Sequence, residues 1–242
     1  MQRIDASIRV SYQRNKLRAA RLRFPPLADG DYRIVCLGNT HHTKVDGIAT
    51  GDYDRMLFAA GDYFDEKQVA GNDSLYYAST SYTVLPYSAR QGGGPDQIIE
   101  FASSHYDLLV EVAGVPVTGN RAGSMPVLEI CGVSPCTDFE NRACGEATDY
   151  LLETEYEAGK ALLTARTNIM RHKDHENVNV RLSAALDGET LAEVNLAKFL
   201  ADNPVIDCSK HEVLIPIRFE FKSGEITVSV PEWYIEQVKP EF

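Results

Sequence analysis

No stretch of this sequence approaches the ~20 consecutive apolar residues that a membrane-crossing helix requires, so none is expected. The start, MQRIDASIRVSY, also lacks a basic segment followed by an apolar one, and no export signal is read there. Basic residues are in the minority: 24 Lys and Arg stand against 35 Asp and Glu, giving a formal charge of −11. Such a surface repels phosphate backbones on average, and nucleic acid is not an expected partner. The cluster Arg14, Lys16, Arg18, Arg21 and Arg23 reads as a solvated strand or turn face.

Catalytic and metal signatures are missing as well. There is no Gly-x-Ser-x-Gly elbow, P-loop or dinucleotide-binding glycine pattern. Gly92, Gly93 and Gly94 run into Pro95 and offer no helix N-terminus to a phosphate. Cys131, Cys136 and Cys144 lack the close Cys-x2-Cys pairs of structural zinc sites, and His172 and His175 have no third ligand nearby. His41-His42 follows a strand without further partners. Carboxylates abound without forming a recognisable constellation, so neither an enzyme nor a cofactor is expected.

Five cysteines leave at least one thiol unpaired in a monomer. Cys136 and Cys144 bracket TDFENRA and could form a disulfide, while Cys36, inside YRIVCLG, reads as a buried strand residue. What the chain has in abundance is alternation with a period of two, the mark of half-buried strands. It occurs in IRVSY, GDYRIVCLGN, QIIEFAS and HYDLLVEVAG, where Tyr106, Leu108, Val110 and Val112 fall on one side. It continues in VLEICGV, KALLTARTNIM, NVNVRLSAAL, EVLIPIRFEF and EITVSV. Asp187-Gly188 and Lys222-Ser223-Gly224 mark hairpin turns. Helix is scarce: Asn195 caps a short one through LAKFLAD, and DYDRMLFAAGDYF reads as a turn or two of helix stopped by Gly61.

The sharpest break is SARQGGGPDQ, a linker or exposed loop. It divides the chain into an N-terminal β-sandwich domain, residues 1–95, and a C-terminal one, residues 96–242. Before the break, DSLYYASTSYTVLPY presents Tyr76, Tyr77, Tyr82 and Tyr87. Tyrosines on loops suit sugar or protein contact, because the ring is apolar and the hydroxyl bonds. Tyr76, Tyr77 and Tyr82 are therefore the candidate partner or glycan contacts, set against plain core packing. The ending GEITVSVPEWYIEQVKPEF reads as a last strand, with Ile226, Val228 and Val230 on one face, broken by Pro231. Trp233, the only tryptophan, is expected to fold back as a structural lid, leaving Gln237 to Phe242 as the only stretch that could be a free arm.

Several stretches taken in order resemble the FimB-type fimbrial anchor and minor-subunit family of Bacteroidales, the type V pilus and fimbrillin group. They are IRVSYQRN, LADGDYRIVCLGN, DSLYYAS, HYDLLVEVAGV and the ending GEITVSVPEWYIEQVKPEF. The resemblance implies an all-β fold of two consecutive transthyretin-like β-sandwich domains, with a few short helices in connections. It also implies a lipoprotein signal, an outer-membrane or cell-surface location, and a non-enzymatic role in pilus anchoring, assembly or adhesion. Partners would be other fimbrial subunits, bound by adding or exchanging a β-strand at a sheet edge. Two departures stand out. The segment between VSYQRNKLRAA and RLRFPPLADGDYRIV is shorter than the family pattern, so the first sandwich is expected to lack one strand. The lipid-bearing cysteine is also absent, the first cysteine being Cys36. The alternative reading is a lectin-like, carbohydrate-binding β-sandwich.

Overall fold

A computed structural model describes residues 27–66, 69–86, 99–115, 125–171 and 177–238. The basic cluster, IRVSY, Tyr87, the glycine-rich break, His172, His175 and the last four residues lie outside them. In chain order the described strands begin with β1 (Gly30–Gly38), β2 (Thr43–Asp46), β3 (Leu57–Ala60), β4 (Tyr76–Val84) and β5 (Ala102–Ser103). Next come β6 (His105–Ala113), β7 (Val127–Val133), β8 (Cys136–Asp138), β9 (Ala143–Cys144), β10 (Thr148–Leu151) and β11 (Thr154–Glu157). The series closes with β12 (Leu162–Met170), β13 (Asn179–Ser183), β14 (Thr190–Asn195), β15 (Leu214–Lys222) and β16 (Glu225–Ser229). Three short helices join them: α1 (Gly61–Glu66), α2 (Leu196–Asp202) and α3 (Glu232–Val238). The chain is all-β.

Two sheets form a sandwich in the second part of the chain, ordered β10-β7-β13-β14 and β11-β12-β6-β15-β16. The inward set of β6 is Tyr106, Leu108, Val110 and Val112, and it meets Leu128 and Ile130 of β7 and Val180 and Leu182 of β13 in one buried cluster. β15 adds Ile215, Ile217 and Phe219, each fully buried. Fully burying a side chain of this size stabilises by roughly 1.5–3 kcal/mol, so this cluster dominates the second part of the fold. β15 runs parallel to β6 and antiparallel to β16. Pro216 lies past the end of the β16 ladder, which starts at Arg218, a place where a missing N–H is tolerated.

The turns fall where their chemistry predicts. Ser223 (φ 50°) and Gly224 (φ 89°) join β15 to β16, and Gly188 (φ 72°) closes the β13–β14 hairpin. The Asn195 side chain accepts from the Lys198 N–H at 3.0 Å and starts α2, whose Leu196 and Phe199 are buried.

The first part of the chain supplies β1 and β4, which β5 from beyond the glycine-rich break extends, and β2 and β3, which β8 and β9 from beyond it extend. Phe58, Leu75 and Met170 form a small second core, flanked by Leu37, Val45, Tyr77 and Phe139. One expectation is overturned here. Leu57–Ala60 is a strand, and Gly61 opens α1 rather than stopping a helix. Ladders with β2 and β8 claim this segment, and the Gly61 N–H donates to the His42 carbonyl at 2.9 Å. A Cβ at Gly61 would lie 2.9 Å from Lys44 Cε, the end of a flexible exposed side chain, and 3.1 Å from the His42 carbonyl oxygen.

Candidate functional site: a strand edge and its tyrosines

β1 is the longest edge strand among the described residues, and there it is laddered on one side only, by β4 over all nine of its residues. Alternation places Tyr32, Ile34 and Cys36 opposite Tyr82, Thr80 and Ala78 on one face. Arg33, Val35 and Leu37 stand opposite Ser81, Ser79 and Tyr77 on the other. Natural edge strands are commonly blunted by Lys or Pro. β1 has neither, and its one cation, Arg33, though exposed, is engaged by a carboxylate. Its Nη2 lies 2.7 Å from Glu140 Oε2, with the guanidinium 5.4 Å from the Tyr53 ring centre.

β4 puts the candidate tyrosines on a strand instead of a loop. The reason is the cross-strand register: Ser, Thr and Tyr pair with the apolar residues of β1 position by position. Tyr77 points inward and donates to the Phe139 carbonyl at 2.5 Å, packing against Phe58. Tyr76 is on the opposite face. It donates to Glu212 Oε1 at 2.5 Å, stacks near His211 and meets the edge of buried His105. Tyr82 shares Tyr76's face and stands directly across from Tyr32, both half-buried. The structure therefore separates the three, and only Tyr82 has an aromatic neighbour across the ladder.

Residues that sequence patterning did not single out join this region to the sandwich. The β8–β9 hairpin tip carries Phe139, whose carbonyl accepts from Tyr53 at 2.8 Å as well as from Tyr77. Asn141 accepts from Ser104 Oγ at 2.6 Å. Burial pushes the Tyr53 hydroxyl up to about 12, against the opposing pull of Arg33. Asp73 Oδ2 takes three bonds from His42 and Thr43, each within 2.8 Å. The Asn72 N–H donates to the Asn168 carbonyl at 2.9 Å, its own carbonyl accepts from Asn168 Nδ2 at 3.3 Å, and its Oδ1 accepts from the buried Tyr150 hydroxyl at 2.8 Å. Each is a single polar residue in an irregular segment, with no period to mark it.

Trp233 lies half-buried in α3 beside Tyr234, and its Nε1 donates to Glu111 Oε1 at 3.0 Å. Arg218 holds the other oxygen of Glu111 at 2.9 Å. Glu111 lies between the inward residues Val110 and Val112, so α3 is tied to the outer face of the five-stranded sheet. Among the described residues no group of His, Cys, Asp or Glu comes together in a metal-holding arrangement, and no helix is long and apolar enough to cross a membrane.

The sequence matches the family model of the fimbrillin-A associated anchor proteins Mfa1 and Mfa2 over residues 7–239, and the chain belongs to that family. The family is one of fimbrial anchors, associated with the cell surface or outer membrane and with other fimbrial proteins. No curated protein matches the sequence. Among solved structures, a candidate adhesin of Bacteroides ovatus is similar at 15% identity and TM-score 0.64, over 86% of this chain and 75% of that one. The fimbrial anchor protein Mfa2 of Porphyromonas gingivalis is similar at 16% identity and TM-score 0.57, over 85% and 75%. A candidate polysaccharide-binding protein of Bacteroides thetaiotaomicron is similar at 10% identity and TM-score 0.61, over 86% and 79%. At these identities the likeness concerns the fold.

Proposed function

We propose that the protein is a non-enzymatic fimbrial anchor or minor subunit that binds neighbouring pilus subunits by strand addition at the β1 edge. The observation that carries this reading is β1 itself: nine residues laddered on one side among the described residues, without Lys or Pro, and with its arginine paired to Glu140. An incoming strand would satisfy the backbone groups of such an edge and seat alternate side chains beside Tyr32, Ile34 and Cys36. Anchorage through a lipid belongs to the same proposal. So does the division into units 1–95 and 96–242, with the β8–β9 hairpin reaching back from the second into the first unit's sheet.

A photo-crosslinking residue at position 34, in cells carrying the neighbouring fimbrial genes, should capture a pilus subunit. The same residue at position 191, on edge strand β14, should not. Capture at 191 alone, or at neither, would sink strand addition at β1.

Glycan binding is the second reading, favoured by the Tyr32–Tyr82 pair across β1 and β4. On a glycan array it requires a specific signal that Tyr82→Ala abolishes. Tyr77 is a poor probe, because its hydroxyl is engaged inside the fold.

A further inference from the structure

Cys136 and Cys144 are partners in the β8–β9 ladder, placed directly opposite each other. Opposed residues of an antiparallel pair have Cα atoms about 4.5–5.5 Å apart, inside the roughly 4.4–6.8 Å over which two cysteines can be bridged without moving the backbone. As direct cross-strand partners, both side chains fall on one face of the ladder. Gly145 (φ 83°) keeps the space beside them open, since a Cβ there would lie 2.9 Å from Cys136 Sγ. The other three cysteines have no such partner. Cys36 is opposite Ala78, Cys131 is opposite Asn179, and Cys208 lies near Tyr106 in a loop.

We propose that Cys136 and Cys144 are a disulfide site, oxidised when the folded chain meets a thiol–disulfide couple, and that the bond locks the hairpin joining the two parts of the molecule. This rests on the cell-surface reading only for where the oxidant is met; the pairing follows from the ladder. Cys144 is the more accessible sulfur, since Cys136 is 1% exposed. Its thiolate attacks the oxidant's disulfide, forming a mixed disulfide and expelling one thiolate of the oxidant. Cys136 then gives up its proton and attacks Cys144 Sγ, forming the Cys136–Cys144 bond and expelling the second thiol. The chain loses two protons and two electrons, and the oxidant's disulfide becomes two thiols.

The neighbouring Cys136 thiol, followed by burial, pushes the Cys144 thiol far above its ordinary range, so spontaneous attack is slow and a disulfide-exchange catalyst speeds it. The consequence is mechanical. The closed loop holds Phe139, Glu140 and Asn141, which take the bonds of Tyr53, Tyr77, Arg33 and Ser104. Oxidation fixes the segment on which the contact between the two parts converges.

The test uses the full chain equilibrated with reduced and oxidised glutathione, then denatured without reductant. Titration should count three thiols, the five of the sequence less the bonded pair, and peptide mapping should find the segments containing Cys136 and Cys144 linked. Reduction should lower Tm by roughly 5 °C, the effect expected from opening a loop of this length. Cys136→Ser should titrate four thiols and lose the reductant-dependent shift in Tm. Five thiols in the equilibrated wild-type chain, or a linked pair other than this one, would overturn the proposal without any variant having to fold.

Discussion

In the sandwich built by β6, β7 and β10 to β16, apolar side chains from both sheets close on one another. Around the first region's strands the comparable centre is small: Phe58 and Leu75 meet Met170 of β12. No residue of β1 is fully buried, and in β4 only Ala78 is. Beyond Ala59, Ala60, Tyr63 and Val69, which are buried in the sandwich's own cluster, the first region is held to its neighbour by polar contacts: Arg33 to Glu140, and Tyr53 and Tyr77 to the Phe139 carbonyl. An apolar core gains stability in proportion to buried area, whereas a polar contact contributes about 0.5–1.5 kcal/mol net. One region is thus the better packed, while the other carries the edge proposed to accept a partner. A sheet that gains part of its order from an added strand is suited to that task.

Breaking the sandwich should have the largest effect. Phe219→Ala removes a fully buried ring from the sandwich and should cost about 3–5 kcal/mol, read as a lower denaturant midpoint for the whole chain. Phe58→Ala empties a site just as buried but in the smaller cluster. Its sharper readout is local: amide exchange should accelerate in β1 and β4 while β6 and β15 keep their protection. If Phe58→Ala exposes the sandwich equally, the two regions are one cooperative unit and the contrast fails.

Tyr150→Phe tests the seam between them. It leaves Asn72 Oδ1 without its 2.8 Å donor, beside an Asn72 Nδ2 that already lacks a partner, and should cost about 1–3 kcal/mol in urea. Alkaline titration tests the other side of the seam. The Tyr53 hydroxyl is raised from 10.0 to about 12, so the folded state holds a proton that the unfolded chain releases first. Its contribution is complete below pH 10 and is lost as pH rises from 10 towards 12, and Tyr53→Phe should flatten that part of the stability profile. The smallest effect belongs to Glu140→Gln. The Arg33–Glu140 pair is partly exposed, so its loss should cost under about 1 kcal/mol and matter less still in high salt.

The sequence made the sandwich legible and the seam obscure, for physical reasons. β6, β7, β12, β13, β15 and β16 are runs of Val, Ile and Leu at period two, closed by turns such as Ser223-Gly224, and burial on one face enforces that pattern. α2 was legible from one capping side chain, Asn195. β4 carries its alternation in Tyr, Ser and Thr, so it resembled a loop until β1 was set beside it. Leu57–Ala60 has the composition of a helix, and only ladders to β2 and to the distant β8 make it a strand. The β8–β9 hairpin pairs with a strand from across the glycine-rich break, a contact no local pattern can announce. Of the candidate residues, Trp233 lies in a helix tied to Glu111, and the tyrosines divide between two faces.

Hydrogen–deuterium exchange along β1, with and without a purified subunit encoded beside this protein, tests the central claim most directly. The free chain should exchange faster in residues 30–38 than in β6, and the subunit should slow exchange in 30–38 while leaving β14 and β16 unchanged. Protection confined to β14 or β16, or none anywhere on binding, would contradict a fimbrial subunit that is joined at the β1 edge.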